Sequence, residues 1–247
     1  MQPLRIGVMP GVTVSKWSRV WADRRPDVPL VVVPTDEDSQ VRLLREGSLD
    51  LSFVRLPVDR GGLHLIPLYS EVAVVVVPQD HVVTAVDEVL SEDLADDLLL
   101  QDPDSVPAWR DAALARRSGP LPALPDVRGM ADTMALVAAG TGLVVVPMSV
   151  ARLHHRRDLT YRPVTDVEPT QVALAWVAES EGPVIEDFVG VVRGRTARSS
   201  RGAPPDAPTT GASGAAAPRQ RPVTPRGGGR GRPTPARQPR QGRSRPR

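Results

Sequence analysis

The first 55 residues alternate short apolar runs with amphipathic segments, and this alternation restricts the fold more than any other feature of the sequence. The apolar run at residues 4–9 has the pattern of a buried strand, and the apolar runs at residues 30–33 and 51–54 predict two further strands. Residues 14–25 carry the periodicity of a helix, and a second helix leads to Gly47. Strands joined by helical crossovers of this length run parallel. The sequence therefore predicts a βαβαβ unit at the start of an α/β protein.

The remainder of the predicted folded part continues this alternation. Further strands are predicted at residues 63–69, 72–77, 98–101, 143–146, 159–164 and 172–177. Further helices are predicted at residues 86–90, 107–117, 131–139 and 184–192. This order predicts two α/β subdomains between which the chain crosses twice.

The composition changes abruptly near Gly194. Residues 1–193 contain 18 basic and 28 acidic side chains, net −10, whereas residues 194–247 contain 13 arginines and one acidic residue, Asp206, net +12. The second segment has too few large apolar side chains to offset the entropy of ordering its backbone. It is predicted to be a disordered basic tail, which either makes weak, nonspecific contacts with nucleic acid or only extends and solubilises the chain.

Several classes of function find no support in the sequence. The chain has no cysteine, so disulfides and thiolate chemistry are excluded. No apolar run is long enough to span a membrane and no signal peptide is recognisable, so a cytoplasmic protein with no membrane partner is expected. The adjacent His154 and His155 diverge on a helix, and Ser149 lacks the glycine-flanked turn of a hydrolase nucleophile. We predict no catalytic residue, no metal site and no cofactor.

Six phrases of the sequence occur in an order and spacing typical of one family. They are LRIGVM, RRPDVPLVVV, LLREGSLDLSFVRLP, LIPLYSEVAVVVVPQDHVV, MALVAAGTGLVVVPMSVA and VALAWVAES with VIEDFVGVVR. Over residues 3–193 the chain thereby resembles the effector-binding domain of LysR-type transcriptional regulators. The resemblance implies a type 2 periplasmic-binding-protein-like fold of two Rossmann-like subdomains joined by a hinge, residues 3–77 with 170–193 and residues 78–169. A small-molecule effector would bind in the cleft between them.

The same resemblance predicts how the chain functions and assembles. A helix-turn-helix precedes the first strand in this family, whereas three residues precede Leu4 here, so we expect no sequence-specific DNA contact from this chain. Three origins remain open: a start codon placed too late, a truncated regulator without independent activity, or a free-standing domain that pairs with an intact relative. A homodimer using Val41, Leu44 and Arg45 is expected. A solute-binding protein of the same fold is the alternative of a different class, and it would need an export signal.

Ligands of open α/β sheets bind beyond the carboxyl ends of the strands, which makes the turns after the first two strands the first candidates for a site. The candidates in these turns are Gly11, Val12, Thr13, Glu37 and Asp38. The crossover and the resemblance add Arg55, Trp109, Met130, Asp132 and Thr133.

Two interpretations remain open for most of these candidates. Residues 36–38 are acidic where relatives commonly carry a small hydroxyl side chain, and an acid that points inward would favour a neutral or cationic effector. The alternative is that these acids face water and only cap the following helix. Arg55 either binds an acidic ligand group with its planar fork or forms an internal salt bridge with one of these carboxylates. Surface packing is the alternative for Trp109, and helix capping is the alternative for Asp132.

Overall fold

The computed structural model describes residues 2–180 and 182–194, and the predicted basic tail from residue 195 onward lies outside these residues. The strands are β1 Leu4–Val8, β2 Leu30–Pro34, β3 Leu51–Arg55, β4 Leu63–Glu71, β5 Ala73–Pro78, β6 Val144–Pro147, β7 Leu159–Pro163 and β8 Thr170–Val177. The α-helices are α1 Ser15–Arg24, α2 Ser39–Arg45, α3 Pro107–Arg116, α4 Met130–Ala138, α5 Met148–Leu153 and α6 Pro183–Val192. In this part of the chain no helix has the length and apolar character needed to cross a membrane.

The first sheet has the strand order β2-β1-β3-β8-β4. Strand β1 pairs in parallel with β2 and β3, as the βαβαβ prediction required, and β8 returns antiparallel to β3 and β4. Aromatic rings fill the core on one face. Trp17 stacks on Phe53 with ring centroids 4.9 Å apart, and Trp21 meets Phe188 edge to face at 5.4 Å. These contacts hold α1 and α6 against the same side of the sheet.

The second sheet has the order β6-β5-β7 and is antiparallel throughout. Successive side chains of a strand point to opposite faces, so β5 contributes to two cores. Val75 and Val77 belong to the core that contains Trp109 of α3, whereas Val74 and Val76 belong to the core that contains α4. The central strand is therefore apolar along its whole length because helices cover both of its faces.

Strand β5 corrects the predicted boundary between the subdomains. The prediction ended the first subdomain at residue 77, but β5 pairs with β6 and β7 in the second sheet. Hydrophobic periodicity identifies a strand without showing which sheet it joins, and this is why the boundary was misplaced. Grouped by sheet, the first subdomain comprises residues 2–72, 170–180 and 182–194, and the second comprises residues 73–169. The chain crosses between β4 and β5 and again between β7 and β8.

Two other predicted elements differ from the structure. The helix predicted at residues 86–90 is absent from the described chain, and the Val89 backbone N–H donates instead to the Pro163 carbonyl at 2.9 Å. Pairing with the end of β7 thus overrides the local helical pattern. The strand predicted at residues 98–101 is reduced to an isolated bridge at Leu99. The other predicted strands and helices are confirmed to within a few residues at their ends.

Candidate functional site

Two cavities lie where the chain crosses between the subdomains. The first, which we call the cleft cavity, has a volume of about 450 Å³ and is lined from both subdomains. Its polar side chains are Glu37, Gln40, Arg55 and Thr170 from the first subdomain and Gln101 and Ser105 from the second. The other lining residues are Leu56, Pro57, Ala73, Val106, Val145, Val146, Pro147 and Val167. A mostly apolar wall with a few convergent polar groups is typical of a small-molecule site.

Arg55 stands at the end of β3 and lines the cleft cavity, and other groups of the protein already engage its guanidinium. Its guanidinium forms an ion pair with Glu71, with 3.0 Å between Nη2 and Oε2, and both side chains are only 7% exposed. Nη2 also donates to the Pro10 carbonyl at 2.7 Å and to the Ser149 hydroxyl at 3.1 Å. The structure therefore has the internal salt bridge, although the partner is Glu71 and not one of the acids at residues 36–38.

Two glutamine side chains that the sequence did not single out, the buried Gln40 and the half-buried Gln101, hold the walls of the cleft cavity in position. Gln40 Oε1 accepts from the Arg55 backbone N–H at 2.8 Å, and its amide nitrogen donates to the Arg55 carbonyl at 3.4 Å. In the second subdomain Gln101 Oε1 accepts from the Val145 backbone N–H at 2.6 Å, and its amide donates to Ser105 Oγ at 2.8 Å. Gln40 lies in the first turn of the helix that follows β2, and Gln101 ends the predicted strand at residues 98–101, so their place near strand ends in the sequence is the signal that could have identified them.

The three acids at residues 36–38 have different surroundings. Asp36 Oδ1 accepts from the Ser39 backbone N–H at 2.8 Å at the start of α2, and hydrogen bonds from the Ser39 hydroxyl and backbone lower the pKa of Asp36. Glu37 lines both the cleft cavity and a neighbouring surface groove beside α2, whereas Asp38 lines only the groove, and both residues are exposed. Within the described residues neither the Glu37 nor the Asp38 carboxylate has a hydrogen-bond or ion-pair partner. Glu37 is therefore the unpaired acid at the cleft cavity.

The predicted residues 11–13 line a second cavity, which we call the hinge cavity. It has a volume of about 540 Å³. Its other lining residues are Tyr69, Glu71, Ser149, Arg152 and Leu153. The ion pair described above separates the two cavities, because Arg55 lines the cleft cavity and Glu71 lines the hinge cavity. Burial, together with the negative charge of Glu71, raises the pKa of the Tyr69 hydroxyl at this second cavity.

Trp109 lines neither cavity. Its side chain is fully buried in the core of the second subdomain, and its indole N–H donates to the Leu94 carbonyl at 2.9 Å. A side chain with no exposed surface cannot touch a ligand unless the core opens. Two interpretations of Trp109 were open, that it lines the cleft or that it packs on the surface. Both are wrong, because Trp109 is a core residue.

The residues predicted at the start of α4 also lie outside the lining of both cavities. Asp132 accepts from the Arg128 backbone N–H at 3.2 Å, which ties the preceding loop to the helix. Thr133 is buried, and its hydroxyl donates to the Gly129 carbonyl at 3.3 Å. Met130 is partly buried and packs against the core that contains α4. These three side chains stabilise the helix and its contact with the sheet.

The fold and the cleft together define a class of protein. Two α/β subdomains, joined by two crossings, enclose a cavity lined by apolar side chains and by polar side chains from both subdomains, which is the arrangement of a two-lobed small-molecule-binding domain. Within residues 2–180 and 182–194, no three His, Cys, Asp or Glu side chains are grouped so that they could hold a metal ion. The chain belongs to the LysR substrate binding domain family, which matches residues 2–197. The family and fold predicted from the six phrases are confirmed.

The curated relatives are transcription regulators. A probable hydrogen peroxide-inducible genes activator of Mycobacterium avium is 30% identical over 163 residues, which cover 63% of this chain and 52% of the relative. The Hca operon transcriptional activator HcaR of Escherichia coli (strain K12) is 26% identical over 203 residues, 78% of this chain and 68% of the relative. The chain thus spans about half the length of the mycobacterial activator.

Solved structures of the same kind share the fold. The BenM effector binding domain with its effector benzoate superposes with a TM-score of 0.62 at 22% identity, covering 83% of this chain and 96% of that one. The reduced form of the OxyR regulatory domain from Pseudomonas aeruginosa gives a TM-score of 0.57 at 26% identity, covering 78% of this chain and 97% of that one. The described residues therefore form an effector-binding domain of the LysR type.

Proposed function

We propose that the cleft cavity binds a small effector that is neutral or positively charged, and that this chain is the sensory part of a transcription regulator. The observation that carries the proposal is the Glu37 carboxylate, which lines the cavity without a partner among the described residues. An effector that donates a hydrogen bond or carries a positive charge would satisfy it. The negative charge of Glu37 would repel a ligand that carries a carboxylate, such as the benzoate in the BenM structure.

Arg55 does not reverse this preference, because Glu71 already neutralises its charge. A carboxylate ligand would have to compete with Glu71 for the guanidinium. Depriving one member of a buried ion pair of its partner costs about 3–5 kcal/mol. A hydrogen bond to a charged group returns only about 1.5–3 kcal/mol. The pair is therefore expected to stay intact, and Glu37 remains the group that selects the charge of the ligand.

A thermal-shift screen of the full chain tests the charge preference. The library consists of small molecules with matched carbon skeletons that carry a carboxylate, a neutral amide or an amine. We expect the stabilising compounds to be amides and amines. Glu37→Gln should then weaken amine binding by about 10- to 100-fold, because it removes a charge-assisted hydrogen bond of about 1.5–3 kcal/mol.

Asp38→Asn is the matched control for this experiment. It removes the same charge from the neighbouring position, but Asp38 lines only the surface groove. Amine affinity should therefore stay within a factor of a few of the parent value. Preferential binding of carboxylates, or an equal loss in the Asp38→Asn and Glu37→Gln variants, would contradict the proposed role of Glu37.

We infer that the chain acts as a cytoplasmic sensor and not as an enzyme or an exported solute-binding protein. The relatives are activators and regulators of transcription, and bacterial transcription takes place in the cytoplasm. The polar side chains of the cleft cavity also include no nucleophile paired with a general base, since Ser105 contacts the Gln101 amide. Cell fractionation should recover the chain with cytoplasmic proteins, and an exported pool would favour the solute-binding alternative.

We further propose that the domain forms a homodimer or pairs with an intact relative. The surface expected from the sequence needs one correction, because Leu44 is buried within the single chain beside β3 and β8. Exposed apolar side chains occur instead on α1 and the edge strand β2, where Val20, Val31 and Val32 are 38–44% exposed. Sedimentation equilibrium at tens of micromolar should give the dimer mass, and Val31→Glu should lower it. A monomeric parent chain would contradict a homodimer.

Any contact of the chain with DNA is proposed to come from its basic tail. The tail carries net +12 whereas residues 1–193 carry net −10, so the folded part repels a duplex. Fluorescence anisotropy should show weak, salt-sensitive binding of the full chain, equal for a palindromic promoter and a scrambled duplex. A chain that ends at Arg193 should not bind. A preference of this shorter chain for the promoter would reveal a DNA-reading surface and overturn the proposal.

A further inference from the structure

We propose that Ser149 is a positioning residue that joins the two subdomains and connects their relative position to the cleft cavity through Arg55. The contact consists of the loop after β1 in the first subdomain and the start of α5 in the second. It rests on the proposed function only in one respect, which is that the cleft cavity is taken as the effector site.

The first observation is the close approach of Gly11 to Ser149. Gly11 has a backbone φ of +84°, and a Cβ atom at this position would lie 2.5 Å from Ser149 Oγ and 2.8 Å from its carbonyl carbon. Real side-chain atoms do not approach so closely, so the loop and the helix would have to move apart to admit a methyl group. Only glycine permits the two subdomains to touch in this way.

The second observation is that one guanidinium group binds both sides of this contact. Arg55 Nη2 donates to the Pro10 carbonyl at 2.7 Å in the first subdomain and to Ser149 Oγ at 3.1 Å in the second. The same nitrogen is held by Glu71 at 3.0 Å. Close by, the Met148 backbone N–H donates to the Val72 carbonyl at 2.9 Å, at the crossing itself. The Ser149 hydroxyl therefore connects the Arg55 guanidinium to the hinge.

The consequence follows from the position of Arg55. It lines the cleft cavity, and its guanidinium is the group that reaches Ser149 across the subdomain boundary. A ligand that shifts Arg55 must weaken or strengthen its bond to Ser149, and a change in the subdomain angle must in turn shift Arg55. Binding energies coupled in this way act equally in both directions. The contact thus gives effector binding a direct route to the orientation of the second subdomain.

Distances between spin labels measure this orientation without any ligand. The chain has no cysteine, so two can be introduced without background labelling. Arg19→Cys on α1 and Ala135→Cys on α4 place one label on each subdomain, at exposed helical positions. Double electron-electron resonance on labelled full chain diluted with unlabelled chain then reports the distance within one molecule, even in a dimer.

Ser149→Ala should broaden the distance distribution, because the hydrogen bond across the boundary is lost. Gly11→Ala should displace its mean, because the added methyl group forces the contact apart. Ser91→Ala is the control for losing a buried hydroxyl, since its bond to Asp166 lies within the second subdomain. It should lower the melting temperature and leave the distance unchanged.

Gly47→Ala is the control for backbone strain. Gly47 has a similar φ of +69°, but no atom lies within 4 Å of its added Cβ. Its variant should therefore be destabilised without a change in the distance. Parent-like distributions in the Ser149→Ala and Gly11→Ala variants would overturn the inference, and so would an equal change in the two controls. The readout needs no effector, so a failed charge preference at Glu37 leaves the result interpretable.

Discussion

Replacing Arg55 with methionine is expected to lower the free energy of unfolding by about 3–5 kcal/mol. The substitution keeps an unbranched apolar chain but removes the guanidinium. It leaves the buried Glu71 carboxylate without its cationic partner, and the Pro10 carbonyl loses a donor at 2.7 Å. Urea unfolding followed by circular dichroism measures the loss. An unchanged slope of the unfolding free energy against urea concentration would show that the loss does not come from a change in the denatured state.

Two further variants make this prediction specific. Adding Glu71→Gln to Arg55→Met removes the orphaned charge, and it should recover a large part of the stability. Arg45→Met is the matched surface control, since the ion pair of Arg45 with Asp59 is 2.7 Å long but largely exposed. It should cost less than about 1 kcal/mol. Equal losses in the Arg45 and Arg55 variants would contradict the importance assigned to the buried pair.

Trp109→Ala is expected to cost about 3–5 kcal/mol, because it empties a large volume in the core of the second subdomain. The indole packs with Val75, Val77 and Leu99 and has no exposed surface. Trp109→Phe keeps most of this volume and removes only the indole hydrogen bond, since the Leu94 carbonyl also accepts from the Asp97 backbone N–H at 3.0 Å. It should therefore cost only about 0.5–1.5 kcal/mol. Urea unfolding of the two variants measures both losses of stability and distinguishes them.

The same variants distinguish a core residue from a ligand-binding residue. Trp109 does not line the cleft cavity, so the folded fraction of Trp109→Phe should bind the ligands found in the screen with parent affinity. A residue that lined the cleft would behave in the opposite way, with affinity lost and stability kept. That outcome would return Trp109 to the site.

Most of the sheet framework could be predicted from the sequence, because buried strands require continuous apolar runs. Strands β1 and β3 were found in this way, and the apolar run of β2 also identified a strand, although β2 is an edge strand with Val31 and Val32 exposed. Strand β5 was found as a strand but assigned to the wrong subdomain, since its partners β6 and β7 lie far along the chain. Helix α5 was missed. It has only six residues, Met148–Leu153, and it follows Pro147 directly, too short a segment to show a helical period.

The site was less predictable because its contacts join distant parts of the chain. Glu37 could be found from its place after β2, at the carboxyl end of a strand. The ion pair between Arg55 and Glu71 could not, since the two residues lie on strands that are both paired with β8 and not with each other. The bond to Ser149 spans 94 residues, and no local pattern signals it.

Amide chemical-shift mapping tests most directly whether the cleft cavity is the effector site. Proton-nitrogen correlation spectra of the full chain are recorded during titration with the strongest amide or amine ligand from the screen. We expect saturable shifts centred on Glu37, Gln40 and Arg55 and on the facing residues 101, 105, 106, 145 and 146, and we expect Glu37→Gln to reduce them at equal ligand concentration. Shifts confined to surfaces away from the cleft cavity, with these residues unchanged at saturation, would contradict the proposed function.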